Sequence, residues 1–438
     1  MNFTRDSHGK NMGFSRETHE KDMRNTWEKV RNLSPMKRFF FLTLLLGCAL
    51  LTHAQYKTKT YFPPRGEWQH RTPASLGLDS AQLQAAIKFA RDNESKYPRN
   101  QELTQAIQFG KEPYSAGIGP FSERGEPTGV IIYKGYLVAE WGEPLRVDIT
   151  NSVTKSFLSS VVGVAVDRGL IRSVTDTVAP YIPPIEVYNP VTTASTPGQP
   201  ALLYPFAGEH NRTLTWDVML RQTSDWEGTL WGKPDWADRP VGNDPEVWLH
   251  RKRNAPGSVY KYNDVRVNAL ALAATCVWRQ PLPQVLKQHI MDPIGASNTW
   301  RWYGYRNAWI VLDGAPVQSV SGGGHWGGGM FISAYDMARF GLLTLHRGNW
   351  NGQQLLSEQW VKQALTPTAA EPTYGYMNWF LNTDHKLAAS APVNAFIHIG
   401  NGTNFIYVDP DHDLVAVVRW IDYKAMGDMI GQILSAIK

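Results

Sequence analysis

The amino-acid sequence predicts an α+β fold: an antiparallel sheet built from both ends of the chain and flanked by terminal helices, with a mostly helical lobe inserted in the middle. Three observations predict it. Apolar runs rich in β-formers lie near both ends, at 129–142 and 395–420. Helical patterns flank these runs, at about 80–93 and 425–438. Between them, helical patches alternate with loops rich in Pro and Trp, so the strands of the two ends are expected to share one sheet.

The first elements follow from local signals. Asp79 can cap the helix "SAQLQAAIKFARDN", which carries an apolar stripe. Residues 93–127 are rich in Gly and Pro and are predicted to form a long surface loop. The stretch "GVIIYKGYLVAEWG" predicts a hairpin that turns at Lys134-Gly135.

The last third returns to strands. The glycine-rich stretch "GGGHWGGGMFIS" at 322–333 leads into a helix. Two β-runs follow within 395–420, joined by a turn at 410–413, and the second alternates between two sets of side chains. The stretch "AMGDMIGQILSAIK" predicts an amphipathic helix at the end of the fold.

The residues before the predicted fold include an apolar segment that is interpreted as an export signal. Residues 36–54 resemble a secretory signal: Lys37 and Arg38 precede an apolar run over 39–51, which is shorter than the ~20 residues that a membrane span needs. Cleavage is expected near Ala54. The predicted organisation is a disordered leader or upstream sequence at 1–35, the signal at 36–54, a linker at 55–73 and a hydrolase domain at 74–438, with an α/β part at about 74–150 and 322–438 and a helical lobe at about 151–321.

The charge balance bears on nucleic-acid binding, and the cysteine content bears on the cellular location. Residues 1–54 hold nine of the 44 basic and five of the 39 acidic residues, so the rest is near neutral and carries no basic footprint for nucleic acid. No membrane span is expected. The location predicted is periplasmic or secreted, in a bacterium, with Cys276 alone after cleavage. A lipid anchor on Cys48 is the alternative, but apolar residues continue past Cys48, which favours simple cleavage.

The pattern Ser-x-x-Lys is the first candidate for chemistry, but the pattern alone is uninformative. It occurs five times, beginning at Ser7, Ser34, Ser152, Ser258 and Ser435. Ser152 differs from the others because it begins an apolar, buried-type helix directly after a hairpin. A serine at a helix N-terminus can react while its own N–H helps to hold an oxyanion, and Lys155 one turn on can take its proton. A capping serine beside a surface-reaching lysine explains the same residues equally well.

Two further stretches favour the catalytic interpretation. These are Tyr262-Asn263-Asp264 and His398-Ile399-Gly400. With Ser152-x-x-Lys155 and the glycine-rich stretch at 322–333, they resemble the motifs of the penicillin-recognising serine hydrolases, a family of β-lactamases, D,D-peptidases, related esterases and 6-aminohexanoate-dimer hydrolases. The resemblance covers about residues 74–438 and is closest to the class C β-lactamase and esterase branch.

The resemblance implies a role for each matching residue. Ser152 would be the acylated nucleophile, and Lys155 would be its base or the group that tunes it. Tyr262 would pass the proton to the leaving group and later activate water. The backbone N–H groups of Ser152 and Asn401 would form the oxyanion hole, and Gly400 would let the substrate approach the strand. No metal or organic cofactor is implied.

Two departures from the family pattern concern the substrate. Asp264 stands where the family usually has Asn. It could pair with Lys155 and keep it protonated, which would make Tyr262 the base; it could bind a substrate ammonium; or it could make the hydrogen bonds of an Asn, the alternative we favour. His398-Ile399 replaces the usual Lys-Thr, so the hydroxyl is absent and the cation depends on pH. We expect His398 to contact substrate.

The region 225–240 offers a further candidate. Trp226, Trp231 and Trp236 lie in a helix-poor loop. They are interpreted as loop packing or, in the functional alternative, as an aromatic wall in which Trp226 and Trp231 contact substrate.

The predicted function is therefore an exported serine hydrolase that cleaves a small ester or amide through an acyl-enzyme on Ser152. The enzyme alternative is a β-lactamase or D,D-peptidase that acts on β-lactams or cell-wall peptides. A non-catalytic binding or sensor module is the alternative of another class. The chain lacks Gly-x-Ser-x-Gly and His-Glu-x-x-His, so the sequence offers no competing hydrolase motif.

Overall fold

A six-stranded antiparallel sheet built from both ends of the chain is the centre of the fold. The computed structural model describes residues 60–188, 201–242, 244–380 and 388–438. The predicted leader, the signal peptide with Cys48 and Ala54, and the first part of the linker lie outside these residues. Residues from Tyr61 onward form one compact unit.

The helices of the described residues begin and end as follows: α1 Ser80–Asp92, α2 Gln101–Phe109, α3 Thr154–Asp167, α4 Trp216–Leu220, α5 Pro245–His250, α6 Asp264–Trp278, α7 Leu282–Leu286, α8 Ala334–Leu345, α9 Glu358–Ala364 and α10 Met426–Leu434. Short 3-10 turns include Asn151–Val153 and Asp235–Ala237, and a π-helical turn spans Lys287–Met291. None of these helices has the length and apolar character needed to cross a membrane.

The strands are β1 Thr128–Tyr133, β2 Tyr136–Trp141, β3 Asp148–Ile149, β4 Ile185–Val187, β5 Leu202–Leu203, β6 Thr229–Leu230, β7 Lys233–Pro234, β8 Arg301–Tyr303, β9 Trp309–Leu312, β10 Ala315–Gln318, β11 Gly329–Ile332, β12 Asn349–Trp350, β13 Gln353–Gln354, β14 Trp379–Phe380, β15 Phe396–Gly400, β16 Asn404–Asp409 and β17 Leu414–Arg419.

The central sheet has the order β14-β15-β16-β17-β1-β2. Its two halves meet where β1 pairs antiparallel with β17, with Thr128 opposite Arg419. Arg419 also ties the central sheet to the separate sheet that contains β3 and β11, because its buried guanidinium donates to the carbonyls of Ile332 and Ile149, both at 2.8 Å. The α+β fold predicted from the sequence is confirmed.

The period of two along β17 explains why the sheet is buried on both faces. Leu414, Ala416 and Val418 pack with α1 and α10, whereas Val415 and Val417 face the larger core that contains α3, α6 and α8. Alternate side chains of one strand therefore serve two different cores, as the sequence alternation predicted.

The helical lobe holds more strand than was predicted. Helices α3 and α6 are almost wholly buried, in agreement with their continuous apolar composition. Beside them, β10, β9, β4 and β5 form a second antiparallel sheet. These strands are two to four residues long, so their sequences are too short to show a clear period of two.

Helix α2 is the clearest error in the prediction, which treated 93–127 as a loop. Asn100 caps it by accepting a hydrogen bond from the Leu103 amide at 2.9 Å. The helix buries Gln105 and leaves Leu103 and Ile107 exposed. Its polar face points inward, which is the reverse of the amphipathic pattern by which helices are recognised.

Candidate active site

Ser152 and Lys155 meet at the start of α3. The turn Asn151–Val153 runs directly into the helix, and Lys155 Nζ donates a hydrogen bond to Ser152 Oγ at 2.8 Å. Ser152 Oγ donates to the Gly323 carbonyl at 3.3 Å, and Lys155 Nζ donates to the Gly322 carbonyl at 3.3 Å. The glycine-rich stretch thus positions both side chains.

The backbone before the nucleophile is held in an unusual conformation. Asn151 has φ 50°, in the left-handed region that Asn tolerates better than most residues. Its side-chain amide donates to the Asn401 carbonyl at 3.0 Å. A Cβ on Gly323 would lie 2.0 Å from the Asn151 carbonyl oxygen, so this position requires glycine. The turn that presents Ser152 is therefore fixed from both sides.

Strand β15 closes the other side of the site. A Cβ on Gly400 would lie 2.0 Å from the Thr150 carbonyl oxygen and 2.8 Å from the Ser152 amide nitrogen. The absence of a side chain at Gly400 therefore lets the strand approach the nucleophile turn. Asn401 and Ser152 both line the pocket, and the oxyanion hole predicted for their amides stays a prediction.

Tyr262 lies between two cations. Lys155 Nζ is 4.9 Å and Arg239 Cζ is 5.1 Å from the centre of its ring, and the ring stacks on Trp379 with centroids 5.9 Å apart. Burial raises the pKa of Tyr262, the Asp264 charge adds to that shift, and together they outweigh the lowering effects of the Arg239 charge and the Ser152 side chain. The phenol is therefore held in its neutral form.

Asp264 pairs with Lys155, the contact on which the first of its three predicted alternatives depends; that the pairing keeps Lys155 protonated stays a prediction. Its carboxylate lies 2.7 Å from Lys155 Nζ, and both side chains are about 1% exposed. The other oxygen lies 3.0 Å from Arg239 Nη1 and 3.1 Å from His325 Nδ1. Because these partners occupy both oxygens, the structure does not leave Asp264 free for a substrate ammonium.

The protonation of this pair follows from burial and charge. Burial lowers the pKa of Lys155, and the neighbouring Asp264 carboxylate opposes that shift without cancelling it. Burial alone would raise the pKa of Asp264, but Lys155 and Arg239 hold it well below its ordinary value. Asp264 therefore stays ionised, and it lies beside a lysine that loses its proton more readily than an exposed lysine does.

Two further charged side chains, Asp238 and His325, lie beside Asp264. Asp238 accepts a hydrogen bond from the Asp264 backbone amide and pairs with Arg239. Burial alone would lower the pKa of His325, but the contacts of its ring nitrogens with the Asp264 and Glu112 carboxylates raise it. We call Lys155, Asp238, Arg239, Asp264 and His325 the active-site ion cluster.

This cluster includes one group of possible metal ligands. Atoms of Glu112, Asp238 and His325 lie within 4.8 Å of one another. Arg239 and Asp264 already bond to two of these side chains, so the structure gives no reason to place a cation there. The predicted absence of a metal stays a prediction.

His398 does not reach the pocket, contrary to the expectation that it contacts substrate. It is 3% exposed, and its Nδ1 lies 2.8 Å from Ser156 Oγ. Ser156 Oγ already donates to the Met377 carbonyl at 2.7 Å, so Nδ1 carries the proton and donates. Burial lowers the pKa of His398 to about 3. Side chains alternate across β15, and His398 lies on the face beneath α3.

The two candidate tryptophans also lie away from Ser152. Trp226 is buried in the core, and its indole N–H donates to the Pro205 carbonyl at 2.7 Å. Trp231 borders a separate cavity of about 740 Å³, together with Trp309. The substrate contacts proposed for them are corrected accordingly: both pack within the lobe.

The pocket that contains Ser152 has a volume of about 650 Å³. Sequence analysis missed several residues that line it, namely Tyr97, Gln108, Phe109, Arg239 and Trp379. Gln108 and Phe109 come from α2, and Gln108 accepts a hydrogen bond from the Asn401 side chain. An N-cap signal at Asn100 was the one local indication of this helix.

Comparison with known proteins gives a family match. The family model described as Beta-lactamase matches residues 149–420, more than half of the chain. No curated protein matches the sequence.

Solved structures of similar fold include a putative beta-lactamase from Bacteroides dorei, 13% identical, covering 82% of this chain and 99% of that chain with a TM-score of 0.52. SurE with D-Leu is 14% identical over 82% of this chain and 75% of that chain, with a TM-score of 0.50. A putative 6-aminohexanoate-dimer hydrolase from Bacillus anthracis is 18% identical over 72% and 78%, with a TM-score of 0.45. At such identities the likeness concerns the fold.

Proposed function

The chain belongs to the Beta-lactamase family, a family of serine hydrolases, and from this premise we propose that it cleaves a small ester or amide through an acyl-enzyme on Ser152. One observation carries the proposal. Lys155 Nζ lies 2.8 Å from Ser152 Oγ, and Ser152 lines a pocket together with Tyr262 and Asn401. This arrangement supports Ser152 as the nucleophile, Lys155 as its proton acceptor, Tyr262 as a second proton carrier and the Asn401 amide as part of an oxyanion site.

In acylation, the substrate carbonyl would sit between the amides of Ser152 and Asn401, where negative charge develops as Ser152 Oγ attacks. Lys155 would take the Ser152 proton in its neutral form. Its lowered pKa favours that role, whereas the raised pKa of Tyr262 disfavours a phenolate base. Tyr262 would then donate its proton to the leaving group and receive in exchange the proton that Lys155 took from Ser152, so both end the step neutral. In deacylation a water would attack the acyl carbonyl, losing a proton toward Lys155 while Ser152 Oγ regains one.

The third motif favours an ester or amide over a β-lactam or a cell-wall peptide. His398 is neutral and turned toward α3, and Ile399 has no hydroxyl. The strand therefore offers neither of the groups with which the family's Lys-Thr-Gly motif meets a substrate carboxylate. The β-lactamase and D,D-peptidase alternatives remain outcomes of the test below.

The test uses a short-chain p-nitrophenyl ester, nitrocefin and a fluorophosphonate probe. We expect ester hydrolysis and probe labelling that are both lost in Ser152→Ala. The matched control is Ser258→Ala, because Ser258 begins another Ser-x-x-Lys pattern but is exposed and bonds to the Ala255 carbonyl. This control should keep both activities.

Each remaining outcome has a definite meaning. Nitrocefin hydrolysis faster than ester hydrolysis would support the β-lactamase alternative. Absence of labelling in the folded wild-type protein would contradict both enzyme proposals and favour a binding or sensor module.

Export is proposed as well, on the strength of the apolar run at 39–51. N-terminal sequencing of the mature protein from its native host should begin at Gln55. A mature chain whose first residue is a lipid-modified Cys48 would favour the anchored alternative, and an uncleaved chain in the cytoplasm would contradict export.

A further inference from the structure

The pocket carries an excess of positive charge that the proposed reaction does not use. Among the described residues that line it are three cations, Lys96, Arg239 and Lys424, and one carboxylate, Asp422. Asp422 already accepts a hydrogen bond from the Lys424 amide and lies 4.0 Å from Lys96 Nζ. Since His398 is buried and neutral, these side chains are the available cations of the pocket.

Arg239 is the most constrained of the three cations. Its guanidinium lies 5.3 Å from the ring centre of Phe109 and 5.1 Å from that of Tyr262, whereas Lys96 and Lys424 are exposed at the rim. Stacking between rings fixes the plane of a guanidinium. The side chain of Arg239 is 29% exposed, so it reaches the pocket.

The hydrogen bonds of Arg239 leave one edge of the guanidinium free. Nη1 donates to Asp238 and to Asp264. Nε and Nη2 have no acceptor among the described residues. These two nitrogens form the fork that binds a carboxylate with two parallel hydrogen bonds.

The neighbouring carboxylates do not remove the attraction of Arg239 for an anion. Asp264 is shared among Lys155, Arg239 and His325, and Asp238 is shared between Arg239 and His325. Glu112 also lies 3.2 Å from His325 Nε2, so three acids serve three basic side chains, and neither Asp238 nor Asp264 pairs with Arg239 alone. Arg239 and Ser152 line the same pocket, so an anion bound by Arg239 would lie in the cavity that contains the nucleophile.

We propose that Arg239 is a substrate-binding residue, and that the favoured substrates are esters or amides with a carboxylate a few bonds from the scissile carbonyl. This inference rests on the proposed function, because it names the substrate class of the same site. The anion would be bound from the loop after Asp238 instead of from the strand that carries His398.

The test compares mono-p-nitrophenyl adipate with its methyl ester, which has the same chain without the charge. We expect kcat/KM to favour the anionic ester on the order of 10- to 100-fold, the range for hydrogen bonds to a charged group. In Arg239→Gln this ratio should fall toward one, and Arg239→Lys should recover part of it. Because Arg239 also contacts Asp264, the readout is the ratio within each variant.

Lys424→Gln is the control for non-specific attraction of the anionic ester by the cations of the pocket. It should leave the ratio of kcat/KM for the two esters largely unchanged. A wild-type ratio near one would overturn the proposal. So would a preference that persists in Arg239→Gln but disappears in Lys424→Gln.

A second measurement needs no variant. Adipate should slow fluorophosphonate labelling of Ser152 in the wild-type protein more strongly than adipamide, which is uncharged. Equal protection by the two compounds contradicts the anion site while labelling itself still supports the proposed hydrolase. Absence of labelling would instead refute the hydrolase and the anion site together.

Discussion

Two ion clusters flank the first turn of α6. One contains side chains that can exchange protons, and the other contains only side chains suited to stabilising the fold. The active-site ion cluster contains Lys155 and His325, whose protonation can change. The second cluster, which we call the support ion cluster, consists of Asp225, Asp235, Arg251, Arg253 and Arg266. Asp264 and Arg266, two residues apart, belong to different clusters.

The support ion cluster uses arginine as its sole cation. Arg266 bridges Asp225 at 2.6 Å and Asp235 at 3.0 Å. Burial alone would raise the pKa of Asp225, but Arg251 and Arg266 hold it below its ordinary value. Arginine does not deprotonate in proteins, so these pairs stay charged at every working pH. A lysine in the same setting can release a proton, which is what a general base requires.

Lys155→Met gives the largest expected effect. Removal of a general base lowers the rate by roughly 10²- to 10⁴-fold, and we expect ester hydrolysis and fluorophosphonate labelling to fall within that range. Asp264 keeps Arg239 and His325 as partners, so the variant should fold. A loss of only a few-fold would show that Lys155 is not the proton acceptor.

Arg266→Met should affect stability instead. It leaves Asp225 and Asp235 with fewer cations in a buried setting, which costs about 3–5 kcal/mol when one partner of a buried pair is removed. Urea unfolding measures this loss. The control is Arg279→Met at the other end of α6, whose pair with Asp313 is exposed and is worth about 0–1 kcal/mol. Equal losses in the two variants would contradict the assignment of a supporting role.

Asp264→Asn decides which group accepts the Ser152 proton. The Asp264 carboxylate raises the pKa of Lys155, so the variant lowers that pKa further. If neutral Lys155 is the base, the acid limb of kcat/KM moves to lower pH. If Lys155 must stay protonated for Tyr262 to act, the alkaline limb moves to lower pH instead. A profile over about pH 5 to 10 distinguishes the two, and an unchanged profile would contradict both.

His398→Gln should have the smallest effect at neutral pH, because His398 contacts no part of the pocket. The folded-state pKa of about 3 lies below the ordinary 6.5, so the unfolded chain binds the proton first and stability falls as pH drops below about 6.5. This linkage amounts to about 2 kcal/mol at pH 5. Urea unfolding at pH 5 and pH 7 should show a smaller difference in the variant, and KM should not change. A large rise in KM in the variant would show that His398 does contact the substrate.

The sequence predicted those parts of the molecule that local patterns encode. The strand alternation of β17, the Lys134-Gly135 turn and the Asp79 cap each depend on neighbouring residues, and the structure has all three. Ser152 and Lys155 lie one turn apart, so a helix alone brings them together. Family resemblance then connected Tyr262 to them.

The rest of the site could not be predicted because distant residues form it. Arg239 and His325 belong to loops, and only the folded chain brings both to Asp264. The orientation of His398 depends on which face of β15 lies beneath α3, and alternation alone does not say which set of side chains that is. Helix α2 escaped detection because its buried face is polar.

The pairing of β1 with β17 also has a consequence for synthesis. Arg419 contacts Ile149 across 270 residues of sequence, and β15, which closes the nucleophile turn, joins β1 only through β16 and β17. A ribosome must therefore complete almost the whole domain before the sheet can close. Contacts so distant in sequence form slowly, so a nascent chain would carry Ser152 before β15 is in place beside it. The pocket around Ser152 would therefore take shape only after the last strands have emerged.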